Sequence, residues 1–400
     1  MRARRPGAAG RDGAPLAVLL AGGGTAGHVS PLLALADCLR RRDPATAVLA
    51  LGTAEGLEAR LVPARGYELA TVPRVPMPRR PSGDLLALPG RLGRAVRAAE
   101  EAIAAVGEHG ADVVVGLGGY VATPAYLAAR RLGVPVVVHE QNARPGLANR
   151  LGARLTPHVA VTFPGTPLPH AVTTGMPMRP SVTALDRAAS RAAAAAHFDL
   201  DPAATTLLVF GGSLGAQRLN TALEAAAADL LATGPGGARL QVLHLTGAGK
   251  PVRPQGLPEG AVYRALEFTD RMHLAYAAAD LALCRSGAGT VCELAAVGLP
   301  AVYVPLPVGN GEQRLNAAGV VAAGGGLLVD DAAVTPAWVR GPLRDLLADR
   351  PRVDAMALAA AGTGVRDGDE RLADLVLAAA GRPLAGSATG APGARQDGAT

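Results

Sequence analysis

The sequence is poor in cysteine, in aromatic residues and in lysine, and it has no long apolar run. Its three cysteines, Cys38, Cys284 and Cys292, form no CxxC pair, which argues against a disulfide framework or a zinc site and fits a reducing cytoplasm. Aromatic residues make up 3% of the 400 residues, a bias that fits GC-rich coding. Because no stretch of about 18–20 apolar residues is unbroken, we expect no transmembrane helix.

Positive charge is present, but it is local. The chain carries 39 Lys and Arg against 33 Asp and Glu, and the basic clusters contain no interleaved aromatic residues. No nucleic-acid partner is therefore expected. Arg2, Arg4 and Arg5 precede the apolar run Leu16–Ala21 as in a secretion signal, but this run is shorter than the usual apolar segment of such signals. We therefore expect no cleaved leader.

Buried-strand patterns alternate with helical patterns along most of the chain. Such alternation is typical of parallel sheets covered on both faces, and 400 residues exceed what one core usually serves. The predicted fold class is α/β, with two Rossmann-like domains and parallel sheets facing across a cleft. The predicted strands are Leu16–Ala21, Ala47–Leu51, Glu68–Val72, Asp112–Gly116, Pro135–His139, His158–Thr162, Ala171–Thr174, Thr206–Phe210, Leu240–Leu245, Val262–Leu266, Asp280–Cys284, Ala301–Pro305 and Gly326–Val329.

The two series of strands are separated by Gly175–Thr183, a segment rich in Pro and Met, and an Ala-rich helix is predicted at Ser190–His197. The predicted divisions are a tail at 1–14, a first domain at 15–177, a second domain at 178–365, a C-terminal helix at 366–381 and a tail at 382–400. Both tails are rich in Gly, Ala, Arg and Pro without periodicity, which predicts disorder.

The stretch from Leu16 to Arg42 carries the strongest local signal. An apolar run predicts a buried strand, three glycines (Gly22–Gly24) end it, and apolar spacing from Val29 predicts a helix. This arrangement forms an anion pocket, because glycines let backbone amides approach a ligand and the helix N-terminus adds partial positive charge. His28 lies at its mouth. Similar turns follow at Gly118–Gly119, Gly211–Asn220 and Cys284–Leu294, so a nucleotide diphosphate held between two domains is favoured over a dinucleotide.

Five blocks of the sequence together resemble the MurG family. They are GGGTAGHVSPLLALA, GLGGYVATPAYLAA, HEQNARPGLANR, GGSLGAQRLN and SGAGTVCELAAVGLPAVYVPLPVGNGEQRLNA, in family order between about Leu16 and Ala380. The resemblance implies a GT-B glycosyltransferase fold whose C-terminal helix crosses back to the first domain. It also implies transfer of GlcNAc, with inversion, from UDP-GlcNAc to the 4-hydroxyl of undecaprenyl-pyrophosphoryl-MurNAc-pentapeptide in peptidoglycan synthesis.

The resemblance also assigns substrate-binding residues. Thr25, Ala26 and Gly27 match the family's first-domain binding turn, where Ala26 replaces a more usual glycine that tolerates a wider range of backbone conformations. The other matches are Asn142 and Gln313 at the donor sugar, Arg179 and Ser213 near the diphosphate, Thr269 at the uracil, Ala288, Gly289, Thr290, Val291 and Cys292 under the diphosphate, and Glu293 at the ribose hydroxyls. The GNGEQ sequence around Gln313 departs from a more basic, Gln-Gln version in other members.

Inversion requires a single displacement, and hence a base for the acceptor hydroxyl but no protein nucleophile. His28, which titrates near neutrality when unperturbed, is the predicted base, and Glu140 is predicted to orient it or the acceptor. Alternatively, His28 only caps the helix or bonds the backbone, Glu140 pairs with an arginine or is itself the base, and Glu293 is a first-turn acid favoured by the helix dipole. The mid-chain histidines share no ligand spacing, so no metal and no cofactor are expected.

The segment Arg74–Arg97 combines arginine with leucine, which is typical either of a solvated amphipathic helix or of a membrane-docking surface. Because a polyprenyl acceptor resides in the bilayer, peripheral docking at the cytoplasmic face of the cell membrane is the preferred interpretation. The predicted membrane-facing residues are Arg79, Arg80, Leu85, Leu86, Arg91 and Arg94.

The expected partners are UDP-GlcNAc, the undecaprenyl-linked muramyl pentapeptide, an anionic membrane surface and proteins of cell-wall synthesis. Two other functions stay open at this stage. A GT-B glycosyltransferase with another acceptor would lack GGGTAGH and HEQN, and a dinucleotide-binding oxidoreductase would have no reason for SGAGTVCEL or GNGEQ.

Overall fold

The computed structural model describes residues 14–75, 84–212, 215–232 and 239–383, and its first sheet is parallel throughout. Its strands are β1 (Ala17–Ala21), β2 (Ala47–Gly52), β3 (Glu68–Thr71), β4 (Val113–Gly116), β5 (Val136–Glu140), β6 (His158–Val161) and β7 (Ala171–Thr173). They pair in the order β3-β2-β1-β4-β5-β6-β7, so the strand order reverses between β1 and β4. Ligands of open α/β sheets bind at such a reversal, beyond the carboxyl ends of the strands.

A second parallel sheet repeats this topology. Its strands are β8 (Thr205–Phe210), β9 (Leu240–Leu245), β10 (Val262–Leu266), β11 (Leu281–Cys284), β12 (Ala301–Tyr303) and β13 (Gly326–Leu328). The order is β10-β9-β8-β11-β12-β13, with the reversal between β8 and β11. Each predicted strand is present, with ends within two residues of the prediction. The strand β12 stops before Pro305, which has no N–H for the sheet ladder.

Helices cover both faces of the two sheets. In the first half they are α1 (Ala26–Arg42), α2 (Glu58–Ala64), α3 (Asp84–Ala105), α4 (Ala122–Leu132) and α5 (Leu147–Gly152). In the second half they are α6 (Pro180–Thr183), α7 (Arg187–His197), α8 (Gln217–Leu231), α9 (Met272–Ala278), α10 (Ala288–Val297), α11 (Glu312–Ala322), a 3₁₀ turn (Asp331–Ala333), α12 (Pro336–Trp338), a π-helical turn (Val339–Leu343), α13 (Arg344–Ala348), α14 (Arg350–Thr363) and α15 (Gly368–Ala379). No helix within the described ranges has the length and apolarity to cross a bilayer.

The last helix, α15, packs on α1 beside the first sheet. Its buried Leu372, Ala373 and Val376 belong to the same apolar cluster as residues of α1 and β1. Arg41 pairs with Asp369 at 3.0 Å and Arg42 with Asp374 at 2.6 Å. The helix that follows the second sheet in sequence is thus attached to the first, although the exact domain limits given above stay a prediction.

Cys38, Asp369 and Glu370 form the one group of potential metal ligands close enough together in the described part of the chain. Arg41 already pairs with both acids, and Arg42 also pairs with Glu370. Burial raises the pKa of the Cys38 thiol to about 12, so it stays protonated. This group is therefore explained by helix docking.

Candidate active site

The glycine turns after β1 and β4 fit into one another at the strand-order reversal. A side chain on Gly119 would place its Cβ 2.6 Å from the carbonyl oxygen of Gly23. A Cβ on Gly118 would lie 3.1 Å from Nε2 of His28, and both glycines have positive φ, at 93° and 72°. Glycine is thus required at 118 and 119 because the two turns approach each other too closely for a side chain. This close approach places His28 against the turn that follows β4.

A buried carboxylate supports the first turn from below. Glu58, at the start of α2, accepts hydrogen bonds from the Gly24 amide at 2.9 Å and from the amide and hydroxyl of Thr53 at 2.9 and 2.8 Å. Burial alone would raise the pKa of Glu58, but these bonds lower it below the ordinary value. The Gly24 amide is therefore already bonded within the protein. An anion at this turn would accept hydrogen bonds from the next amides along the chain, at the start of α1.

Thr25, Ala26 and Gly27 open α1. Thr25 is its N-cap, but the Thr25 hydroxyl makes no capping bond to a helix amide and lies 3.0 Å from Nδ1 of His28. Ala26 is the first helical residue and lacks a positive φ, so alanine in place of the family's usual glycine causes no backbone strain. The first amides of α1 are left uncapped by a side chain, which suits an anionic ligand.

His28 is held by its Nδ1 atom, which lies 3.1 Å from the carbonyl oxygen of Gly23. A carbonyl only accepts, so this contact assigns the hydrogen to Nδ1 and leaves the lone pair on Nε2. Burial lowers the pKa of His28 below the ordinary value, although the charge of Glu140 and the Gly23 carbonyl oppose the shift. The alternative predicted from the sequence, a bond from His28 to the backbone, is therefore present at Nδ1. The same bond orients the ring so that Nε2 is left as a neutral proton acceptor.

Glu140 ends β5 and organises the loop that follows. Its Oε1 accepts from the Asn142 amide at 2.9 Å, and its Oε2 accepts from the Gly146 amide at 3.0 Å and from Nδ2 of Asn149 at 2.9 Å. Both oxygens are buried and bound by amides rather than by an arginine. Nε2 of the neighbouring His139 donates to the Gly175 carbonyl at 3.0 Å, its Nδ1 accepts from the Gln141 side-chain amide at 3.0 Å, and burial lowers the pKa of His139 to about 4. The HEQ part of the motif therefore has a structural role in holding this loop.

A cavity of about 350 Å³ opens at the first turn, beside His28. Its lining includes Glu55, Arg74 and Tyr120 together with the glycines of the turns. The Arg74 guanidinium lies over the Tyr120 ring, 5.7 Å from its centroid, and no described carboxylate pairs with it. A cation and uncapped helix amides beside a neutral imidazole suit an anionic substrate that carries a hydroxyl to be deprotonated.

In the second half, α10 begins at the corresponding reversal between β8 and β11. Its N-cap, Gly287, has no side chain to satisfy the first amides of the helix, at Ala288, Gly289 and Thr290. Two buried polar atoms near this helix, Oγ of Ser286 and Nε of Arg179, have no hydrogen-bond partner among the described residues. The first amides of the helix, the Ser286 hydroxyl and Nε of Arg179 are thus available to a ligand, and such a set of donors suits a diphosphate.

Glu293 lies one turn further along α10. Its Oε2 accepts a hydrogen bond from the buried hydroxyl of Tyr276 at 2.6 Å, and its Oε1 lies 3.8 Å from Arg179. Burial raises the pKa of Tyr276 well above the ordinary value, so this hydroxyl always donates. The carboxylate keeps the Oε1 lone pairs for a ligand. The Val291 side chain is buried, and burial raises the pKa of Cys292 to about 12, so the side chains of both residues serve packing.

Of the other predicted donor residues, Thr269 lies in the loop between β10 and α9, and Gln313 lies in the first turn of α11. The Thr269 hydroxyl accepts from the Arg271 amide at 3.0 Å, and Oε1 of Gln313 accepts from the Leu306 amide at 3.0 Å. A cavity of about 700 Å³ adjoins Gln313, where Arg285 pairs with Asp331 at 2.7 Å. Ser213 lies outside the described residues.

The two halves contact one another between the loop after β5 and α11. The Ala143 amide donates to Oδ1 of Asn316 at 2.9 Å, and Nδ2 of Asn316 donates to Oδ1 of Asn142 at 3.2 Å. The Arg144 guanidinium also donates to the carbonyl of Asn310. Asn142 is thus brought next to the segment that carries Gln313. Sequence reasoning missed Glu58, Tyr276 and Asn316, because each acts through a partner distant in sequence.

Part of the basic segment is described. Arg94 and Arg97 on α3 are exposed, whereas Leu88 and Leu92 pack against the core of the first sheet. Arg91 is half-buried. Arg79, Arg80 and the side chains of Leu85 and Leu86 lie outside the described residues. The part of α3 whose side chains are described is therefore amphipathic, with Leu88 and Leu92 facing inward.

Two family models match the chain. The glycosyltransferase family 28 N-terminal domain matches residues 18–161, and the glycosyltransferase family 28 C-terminal domain matches residues 206–372. Together they reach every strand of the two sheets except β7.

Comparison with individual proteins gives more specific relatives. A Leifsonia xyli subsp. xyli protein is 60% identical over 90% of this chain and 98% of its own length, and a Paenarthrobacter aurescens protein is 55% identical over 91% and 96%. Both are named UDP-N-acetylglucosamine--N-acetylmuramyl-(pentapeptide) pyrophosphoryl-undecaprenol N-acetylglucosamine transferase. Among solved structures, Acinetobacter baumannii MurG superposes with a TM-score of 0.72 at 30% identity, over 91% of this chain and 100% of that one. The calicheamicin glycosyltransferase CalG4 has a TM-score of 0.63 at 20% identity, over 92% of this chain and 98% of that one.

Proposed function

This chain belongs to the MurG family of glycosyltransferases, and from that premise we propose how its cleft carries out the transfer. It has the predicted GT-B fold, and the predicted resemblance is confirmed. The chain is a UDP-GlcNAc-dependent transferase of peptidoglycan biosynthesis that glycosylates the undecaprenyl-linked muramyl pentapeptide. This activity takes the place of the two alternatives left open by the sequence.

The donor is proposed to lie along α10. Its diphosphate would accept from the first amides of the helix and from Arg179, with Ser213 as a further contact. Glu293 would accept from the ribose hydroxyls through Oε1, since its Oε2 is bound to Tyr276. The uracil would meet the backbone at Thr269. The sugar would then lie between Gln313 and Asn142. The Asn142 side chain bonds to Asn316, which follows Gln313 by one turn of α11.

The acceptor is proposed to enter the cavity at the first turn. Its diphosphate would pair with Arg74 and with the amides that open α1, while its sugar hydroxyl approaches His28. The observation that carries this mechanism is the His28 contact with Gly23, which leaves Nε2 as a neutral proton acceptor. His28 then takes the proton as the hydroxyl oxygen attacks the anomeric carbon and UDP leaves from the opposite face. Glu140 supports the loop that carries Asn142 and acts as a positioning residue.

The experiment that tests the activity is incubation of the purified protein with labelled UDP-GlcNAc and the muramyl lipid acceptor, without added metal. We expect label to appear in the lipid product, and EDTA to leave the rate unchanged because helix amides and Arg179 stabilise the departing diphosphate. No labelled lipid would overturn the proposed function. Activity abolished by EDTA and restored by Mg²⁺ would overturn the metal-free mechanism.

Arg74 provides a test of the acceptor site. We expect Arg74→Ala to raise the KM for the lipid acceptor about tenfold, since a charge-assisted bond to a phosphate contributes about 1.5–3 kcal/mol. The KM for UDP-GlcNAc should stay the same, and steady-state kinetics with each substrate varied in turn separates the two. Arg253→Ala is a control, because Arg253 is exposed in the second half of the chain. A higher donor KM with an unchanged acceptor KM would place Arg74 outside the acceptor site.

Peripheral docking of the first domain on the cytoplasmic face of the membrane is also proposed. The acceptor carries an undecaprenyl chain, and exposed Arg94 and Arg97 support attraction to anionic headgroups. Cell-wall synthesis proteins are proposed as further partners at the same membrane. Leu88 and Leu92 pack against the core of the first sheet, and membrane contact by Leu85 and Leu86 stays part of this proposal.

Charge reversal tests this docking. We expect reversal of Arg79, Arg80, Arg91 and Arg94 to weaken binding to anionic liposomes and to make the remaining binding less sensitive to salt. Each basic residue near such a surface contributes about 1 kcal/mol, and cosedimentation measures the loss. The matched control reverses four exposed arginines elsewhere, Arg154, Arg253, Arg264 and Arg352. Equal binding by both variants would show that the segment is ordinary surface.

A further inference from the structure

Asn316 is the residue at which the two halves of the cleft are joined. Its side chain is 1% exposed, and each of its polar groups has a partner. Oδ1 accepts from the Ala143 amide at 2.9 Å, while Nδ2 donates to Oδ1 of Asn142 at 3.2 Å and to the Ser286 carbonyl at 3.3 Å. Rotating the amide by 180° would set donor against donor and acceptor against acceptor, so the partners fix its orientation.

These bonds connect the two substrate sites. On one side, Asn142 donates to Glu140 through its amide at 2.9 Å, and more weakly through Nδ2 at 3.4 Å. On the other side, Ser286 immediately precedes Gly287, the N-cap of α10. A continuous hydrogen-bonded path thus runs from the loop of the first domain, through Asn316, to the turn proposed to hold the donor diphosphate. Asn316 lies one helical turn after Gln313, so it is on the same helix as the residue proposed to contact the donor sugar.

We propose that Asn316 is a positioning residue of the transferase, which fixes Asn142 and the acceptor side at the correct distance from the donor. This inference rests on the proposed function. When every buried polar group of a contact has a hydrogen-bond partner, the contact favours a single arrangement. Any other arrangement would leave a buried donor or acceptor without a partner. A displacement of about 1 Å between reacting groups costs about 10²-fold in rate, so such a contact acts on catalysis without touching substrate.

The test is a double-mutant cycle between Asn316 and Asn142, measured as kcat and KM for both substrates together with UDP affinity by calorimetry. We expect Asn316→Ala and Asn142→Ala each to lower kcat about 10- to 100-fold. The double variant should fall no more than about threefold below Asn142→Ala, because both substitutions break the same contact. UDP affinity should change by less than about threefold, since Asn316 is proposed to act between the sites.

Two further variants keep the test independent of folding. Asn316→Asp keeps the side-chain volume and the bond from Ala143 but turns an acceptor oxygen towards Asn142 and Ser286, so kcat should fall as far as in Asn316→Ala. Arg144→Ala removes the other bond between the same segments, and kcat should stay within about twofold of the wild type. Independent, multiplicative effects in the cycle, or wild-type kcat in Asn316→Asp, would overturn the role of Asn316. Wild-type protein without transfer would instead overturn the proposed function.

Discussion

Glu293→Ala is expected to raise the KM for UDP-GlcNAc about 10- to 100-fold with little change in kcat. A hydrogen bond to a charged group contributes about 1.5–3 kcal/mol, and about 1.4 kcal/mol corresponds to a factor of ten in affinity. Because the ribose contacts are made equally in the ground state and the transition state, their loss affects binding and not the chemical step. Initial rates at varied UDP-GlcNAc and calorimetry with UDP both measure the effect.

Tyr276 complicates this measurement and also provides its control. Glu293→Ala leaves the buried Tyr276 hydroxyl without its 2.6 Å partner, which destabilises the site for a reason unrelated to ribose. Tyr276→Phe removes that hydroxyl and leaves the carboxylate in place, so we expect a rise in KM of only about threefold. If Tyr276→Phe raises KM as much as Glu293→Ala, the carboxylate supports the helix and does not bind the donor. An unchanged KM in Glu293→Ala has the same consequence.

The sheets could be predicted from sequence because buried parallel strands are continuous apolar runs. β4 reads VVVG and β8 reads TTLLVF, and each is bounded by polar or glycine-rich sequence. Helix starts were less accurate, since apolar spacing begins inside the helix. The helix α7 starts at Arg187, three residues before the predicted Ser190, because Asp186 caps it by accepting from the Ala189 amide at 3.0 Å.

The candidate site was predictable only in part. Motifs locate residues at the ends of strands, but they do not tell which atoms are already bonded. Glu58 reaches Gly24 across 34 positions of sequence, and Asn316 reaches Ala143 across 173. No periodicity or spacing signals such pairs. In the same way, the HEQN motif does not reveal that Glu140 is buried and accepts hydrogen bonds from the amide groups of Asn142, Gly146 and Asn149.

His28→Ala is expected to lower kcat about 10²- to 10⁴-fold, the range typical of a lost general base. The affinity for UDP should be nearly unchanged, because the proposed donor site lies on α10 in the second half of the chain. Single-turnover rates measure the chemical step, and calorimetry with UDP serves as the control for folding. Loss of UDP binding together with activity would indicate a structural role for His28.

The pH dependence distinguishes His28 from Glu140 as the base. Burial lowers the pKa of His28, so the neutral, active form persists to lower pH and the acidic limb of kcat/KM should fall below the ordinary histidine range. Glu140→Gln removes a charge that raises this pKa. It also sets an amide –NH₂ either against the Asn142 amide or against the donors of Gly146 and Asn149. We therefore expect a smaller loss of kcat than in His28→Ala and a limb at still lower pH. If Glu140→Gln is the more damaging change and abolishes the acidic limb, Glu140 is the base and His28 the positioning residue.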